Sequence, residues 1–148
     1  MSIPDLNEDG FLPEGIHETS LEEVRELFGR FRTTDWRPTL FAKLSEFMVA
    51  ARAAGLVACV IVNGGFVTAK DEPSDIDMIL VVRPDHDFHA DLRPFEYNVL
   101  SRRRVRERFR FDILVAPEAS VRYEQYVNFF QQIKGRPGLR KGILKVLL

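Results

Sequence analysis

The chain has 148 residues, 45 % hydrophobic and 29 % charged, a balance that fits one globular domain large enough to close a core. No run of 18 apolar residues occurs, so no membrane span is expected. Cys59 is the only cysteine, which excludes an internal disulfide. The first nine residues are acidic and carry no apolar segment, so a cytoplasmic protein without a signal peptide is expected.

The net charge of −1 is unevenly spread. Residues 1–35 hold nine acidic and three basic side chains, whereas residues 101–148 hold twelve basic and four acidic. A basic C-terminal third is a candidate surface for nucleic acid or phosphate.

Residues 1–18 read as an extended, turn-rich arm punctuated by Gly10, Pro13 and Gly15, and residues 19–148 as the domain proper. His17 either packs within the arm or reaches the active site. Ser20 and Glu23 form a capping box for a first helix with Leu21, Val24, Leu27 and Phe28 on one face, ended by Gly29. A longer helix runs from Trp36 or Arg37 to Ala54, with Pro38 in its first turn and Leu40, Leu44, Phe47, Met48 and Ala51 as its buried stripe. Trp36 is read as a core anchor. Gly55 stops the helix.

Residues 56–62 form a short continuous apolar run, the pattern of a buried strand. It leads into Gly64-Gly65, and residues 66–70 are expected to form a short helix whose N-terminus faces anions. Lys70 is either solvated beside Asp71 and Glu72 or pairs with a phosphate. A second strand is expected over residues 75–83. Residues 84–91 mix histidines and aspartates without the spacing of a closed zinc site and read as a solvated loop.

One helix is expected over residues 94–108, with Phe95, Leu100 and Val105 inward. Arginines crowd its end, six of them between positions 102 and 110, more than the helix dipole needs. Arg102, Arg103, Arg104 and Arg106 are therefore candidate polyanion contacts, the alternative being a solvated helix end bridged to the acidic N-terminal third. A third strand is expected over residues 109–115, with Arg110, Asp112 and Leu114 on one face. A helix follows over residues 119–132, with Val121, Tyr126, Phe129, Phe130 and Ile133 as apolar contacts. Residues 134–142 read as a flexible basic loop and 143–148 as a terminal strand.

The chemistry concentrates between Asn63 and Val82. Asp75 and Asp77 are one residue apart at the mouth of an apolar run, so on a strand they share a face roughly 7 Å apart along the chain. Two such carboxylates repel unless a positive charge lies between them, and an oxygen-preferring divalent cation is the usual partner. A glycine turn just upstream can bring backbone N–H groups close to phosphate oxygens. Asp75 also fits a turn cap after Pro73-Ser74. Asp77, followed by Met78-Ile79-Leu80-Val81-Val82, has no such alternative, and an unpaired buried carboxylate is costly.

Gly64-Gly65, nine intervening residues, Asp75-Ile76-Asp77-Met78 and a later Phe111-Asp112-Ile113 resemble the nucleotidyltransferase superfamily of DNA polymerase beta. Asn63 departs from the pattern, standing where an apolar residue is usual. The Leu12-Pro13-x-Gly15-Ile16-His17 wording is similar to a family of small, uncharacterised bacterial nucleotidyltransferase-like proteins.

The resemblance implies a single α/β (α+β) domain, a mixed β-sheet flanked by helices. It implies Mg2+ or Mn2+ held by Asp75, Asp77 and Asp112 as the catalytic carboxylates, with Gly64 and Gly65 against the nucleotide. It further implies transfer of a nucleoside monophosphate from an NTP to a hydroxyl of a protein, an RNA or a small molecule. It permits a role in a toxin–antitoxin or defence system, with a homodimer or a cognate partner protein as partner. The rival reading is a non-catalytic module of the same fold that binds a partner protein or nucleic acid.

Overall fold

The apolar runs and amphipathic stretches assemble into a mixed α/β sheet flanked by helices. The computed structural model describes residues 3–148; Met1 and Ser2, which fall in the expected arm, lie outside the described residues. In chain order the elements are β1 (Gly15–Thr19), α1 (Leu21–Phe28), α2 (Trp36–Ala54), β2 (Val57–Asn63), a 3₁₀ turn (Gly65–Val67), β3 (Asp77–Val82), α3 (Pro94–Leu100), α4 (Arg102–Phe109), β4 (Asp112–Pro117), α5 (Val121–Phe130) and β5 (Gly142–Leu147). The five strands lie in the order β1-β5-β2-β3-β4. The β1–β5 and β3–β4 pairs are parallel, and β2 is antiparallel to both β3 and β5. Among the described residues no helix is long and apolar enough to cross a membrane.

The two-residue period of the strands divides the core into two layers. Val60, Val62, Met78, Leu80, Ile113, Leu144 and Val146 pack with α1, α2, α3 and α4 on one face. Cys59, Ile61, Ile79, Val81, Ala116 and Ile143 pack with Val127 and Phe130 of α5 on the other. The stripe expected on α2, from Leu40 to Ala51, is buried as read. Phe47 anchors the helical layer, with its ring edge-on to Phe109 at 5.4 Å and to Phe111 at 6.4 Å.

Several boundaries and facings differ from the sequence reading. The arm contains a strand, β1, which pairs with the C-terminal β5 and has no local partner to reveal it. The helix expected over 94–108 breaks at Ser101, whose hydroxyl caps α4 by accepting from the Arg104 N–H. Phe109 is helical, and β4 begins at Asp112, after Arg110 has turned the chain in a left-handed conformation (φ 65°). Leu27, Phe95, Val121 and Phe129 are exposed, because their neighbours Val24, Phe28, Val99, Val127 and Phe130 already fill the space under each helix. Trp36 is exposed at its rim, with its indole N–H donating to the Pro73 carbonyl, so it ties down a loop and does not anchor the core.

Arg37 is the side chain that fixes the glycine turn. It is only 1 % exposed, in the first turn of α2. Its guanidinium donates to the carbonyls of Phe28 (3.0 Å), Phe66 (2.7 Å), Thr68 (2.7 Å) and Lys70 (3.0 Å) and lies between the Phe28 and Phe66 rings. Burial, then the nearby Arg32 charge, lower its pKa to about 10, so it remains a cation at neutral pH. Among the described residues no carboxylate forms an ion pair with it; the carbonyl dipoles compensate the charge. Replacing Arg37 with Met should orphan these carbonyls and cost about 3 kcal/mol or more in denaturant unfolding. A loss below about 1 kcal/mol would show that water replaces the guanidinium.

Candidate functional site

The sheet register builds a polar row. Asn63 lies opposite Asp77 across the antiparallel β2–β3 pair, and Asp77 lies opposite Asp112 across the parallel β3–β4 pair. Opposed residues share a face. Asn63, Asp77 and Asp112 therefore stand side by side on three neighbouring strands, on the α5 face. Asn63 is buried; its amide donates to the Phe130 carbonyl at 3.3 Å, while its Oδ1 has no hydrogen-bond partner among the described residues.

Asp75 reaches the row differently from the sequence reading. It precedes β3 instead of opening it, so strand periodicity does not align it with Asp77. The glycine turn positions it: Asp75 Oδ1 accepts from the Gly65 N–H at 3.1 Å. Gly64 has φ 97°, and a Cβ there would meet the Asp75 carbonyl at 3.0 Å and the Asp77 nitrogen at 3.2 Å. Both features demand glycine. The 3₁₀ turn that follows is shorter than the helix expected over 66–70.

A pocket of about 930 Å3 opens over Asn63, Gly64, Gly65, Asp75 and Asp77. Phe129 and Phe130 of α5 form one wall, and the basic segment 132–141 forms the rim. That segment, expected to be flexible, is tied down. Lys141 N–H donates to the Gln131 carbonyl at 2.9 Å, and Gln132 bridges to Arg140. Arg136 and Arg140 pair with Asp9 (3.6 Å) and Glu14 (2.7 Å) of the arm. Lys141 and Asn63 are site residues the motif reading did not reach. The lysine just ahead of the Gly142-Ile143 strand start was the available signal for one, and the departure from the family pattern at position 63 for the other.

The charges on the floor are not balanced. Burial first, then Asp75 and Asp112, push the Asp77 pKa up to about 6, against the opposing pull of Lys141. Lys141 is held below the ordinary lysine range by burial, with Asp77 and Asp75 pulling it back up.

Asp112 lies beside Asp77 in register, but it is not part of the pocket wall and its carboxylate pairs with Arg106. The other candidate polyanion contacts are also engaged locally. Arg103 pairs with Glu107 at 3.9 Å; Arg104 donates to Asn98 at 3.1 Å and stacks over Tyr97. Arg102 lines a separate pocket of about 530 Å3. The acids that bridge this cluster are Glu107, Asp112 and, through Arg108, Glu46. The acidic arm instead pairs with the rim of the main pocket. His17 is occupied by the arm, with Nε2 2.7 Å from the Pro13 carbonyl.

Among the described residues no group of three His, Cys, Asp or Glu side chains is close enough to hold a metal ion. The oxygen set fits a hard cation nonetheless. Mg2+ is commonly held by one or two carboxylates together with substrate phosphates. Asp75 and Asp77 offer two carboxylates that form no ion pair among the described residues, facing a pocket wide enough for a phosphate-bearing ligand.

The fold and the site together define an α+β protein whose mixed sheet carries an acid-floored, basic-rimmed pocket at its strand ends. The chain belongs to the family of unknown function DUF6932, whose model matches residues 4–147. No curated protein and no solved structure matches it.

The raised pKa of Asp77 has a stability consequence. The folded state binds this proton more tightly than the unfolded chain, so the group's contribution is full below about pH 4 and is lost as pH rises through 6. The shift from 3.8 to about 6 sets an upper bound of about 3 kcal/mol. In metal-free buffer, Asp77→Asn should therefore be more stable than wild type at pH 8 by about 1–3 kcal/mol, and the gain should shrink towards pH 4. Urea unfolding at both pH values measures it; a pH-independent difference would show that the Asp77 charge is balanced in the fold.

Proposed function

We propose that this chain is a metal-dependent nucleotidyltransferase that moves a nucleoside monophosphate from an NTP to an acceptor hydroxyl. The observation that carries the reading is the pair Asp75 and Asp77 at the floor of a basic-rimmed pocket, with the Asp77 pKa pushed up to about 6 by burial and then by Asp75 and Asp112, which the pull of Lys141 only partly offsets. A site of this kind favours a ligand that arrives with its own cation.

In this reading Asp75 and Asp77 hold the ion, Mg2+ or Mn2+, that accompanies the triphosphate. When bound, that ion neutralises phosphate charge and aligns the attacking and leaving oxygens. The acceptor oxygen forms a bond to the α-phosphorus as the bond to pyrophosphate breaks, and the hydroxyl proton leaves with a base. Asp112, one strand away and paired with Arg106, would with that pair opened complete the ion site beside the acceptor hydroxyl. Gly64 and Gly65 allow close approach of the phosphates, and the exposed Phe129 ring supplies an apolar wall for the nucleobase. The acceptor is a protein, an RNA or a small molecule. Setting the protein in the cytoplasm, within a toxin–antitoxin or defence pair whose partner is a cognate protein or a second copy, is part of the same proposal.

One observation favours the non-catalytic rival: Asp112 is held by Arg106 and takes no part in the pocket wall. In that reading the pocket binds an anionic ligand or partner without transfer.

Calorimetry with each NTP and Mg2+ should show binding that the double change Asp75→Ala and Asp77→Ala removes. Equal binding by a folded double variant would sink the site assignment. Asp112→Asn should bind Mg2+–NTP as wild type does, yet transfer label from NTP to lysate macromolecules about 10²-fold more slowly. Transfer at the wild-type rate would remove Asp112 from the chemistry. NTP binding with no transfer to any acceptor would leave the non-catalytic module as the function.

A further inference from the structure

We propose that Lys141 is the phosphate-binding cation of this site, receiving the terminal phosphates of a polyphosphate ligand in the cleft between the glycine turn and the start of β5. The nucleotide identity of that ligand rests on the reading above; the polyphosphate contact itself does not.

Backbone geometry fixes where this lysine stands. Its N–H is bound to the Gln131 carbonyl, and the next residue, Gly142, donates to the Leu12 carbonyl at 2.8 Å. Gly142 is packed so tightly that a Cβ would collide with the Pro13 carbonyl and the His17 ring. The antiparallel register, with Val62 opposite Leu144, runs the start of β5 past Gly64-Gly65. Lys141 thus faces the glycine turn from a rigid frame. Its side chain borders the main pocket and also an annex of about 400 Å3 that Gly65, Thr68 and Lys70 help to line.

The rim carries four cations: Lys134 is exposed and forms no ion pair among the described residues, and the other three divide into two kinds. Arg136 and Arg140 are spent on the arm acids Asp9 and Glu14. Lys141 forms no ion pair among the described residues, although Asp77 and Asp75 lie close enough to act on its charge. Phe11, with its ring centroid 6.0 Å from the ammonium, is a weak cation–π neighbour. A half-buried ammonium without a partner is costly, and a phosphate oxygen supplies the charge-assisted hydrogen bonds it lacks. Lysine suits this role as a compact point charge with three donors. A merely structural lysine would instead serve as a counter-charge to Asp75 and Asp77.

Inorganic tripolyphosphate, titrated without metal, separates these roles. Wild type should bind it, Lys141→Gln should bind about 10-fold or more weakly, and the pair Asp75→Asn and Asp77→Asn should bind at least as tightly as wild type. Equal affinity in wild type and Lys141→Gln, or no binding by wild type, overturns the proposal. If Lys141→Gln does not fold, acetylation of the wild-type protein with acetic anhydride decides it: tripolyphosphate should slow modification at Lys141, and an unchanged rate overturns the proposal. Tripolyphosphate binding through Lys141 with no Mg2+–NTP binding would uphold this inference while removing the nucleotidyltransferase reading.

Discussion

A buried arginine that donates its hydrogen bonds to backbone carbonyls is the constraint on which the rest of this structure depends. Arg37 sits at the start of α2 and gathers the carbonyls of Phe28, Phe66, Thr68 and Lys70. It therefore joins the end of α1, the helical layer and the segment that carries the glycine turn. Desolvation works against such a charge, and only several well-placed acceptors make it tolerable. The rigidity this confers passes to Gly65, whose N–H positions Asp75, and so to the pocket floor. The carboxylate geometry is in this sense set from the opposite face of the sheet.

The pocket floor shows the reverse economy. Asp77 is desolvated, flanked by two further carboxylates, and left with one half-buried lysine in reach. A chain folding only for stability has little reason to keep this arrangement, since Asn at the same position would avoid the repulsion. Perturbed carboxylates in a cleft are a recognised mark of functional sites. The glycine pair carries less weight on its own: Gly64 is already demanded by its positive φ and by the backbone passing at Asp75–Asp77, whether or not a nucleotide binds.

The arm and the basic rim close the same site from its open side. Asp9 and Glu14 neutralise Arg136 and Arg140, Gly15 N–H donates to Gln131 Oε1 at 2.7 Å, and β1 zips along β5. The ion pairs are exposed and each contributes at most about 1 kcal/mol. The parallel strand pairing and the backbone bonds hold the rim more firmly than the charges do. One effect of the pairing is selective: it silences two of the rim's cations and leaves the exposed Lys134 and the half-buried Lys141 at the pocket.

The sequence by itself determined the buried strands β2 and β3, the apolar stripe of α2, Ser20 as the N-cap of α1 and the α/β class, whereas the mixed sheet was implied only by the family resemblance. These follow from local periodicity and cap chemistry, which act within a few residues. Gly64, Gly65, Asp75 and Asp77 were also legible, because their types and spacing are unusual in an apolar run. Only the tertiary structure decided the rest. β1 exists because β5, more than a hundred residues later, offers it an edge. Asp75 meets Asp77 through a turn, not through strand alternation. Asn63 joins the row through the β2–β3 register, Asp112 is drawn to Arg106 across the bend between α4 and β4, and Lys141 reaches the floor from the far end of the chain. Register and long-range charge contacts depend on which segments meet in space, and no local pattern in the chain encodes that.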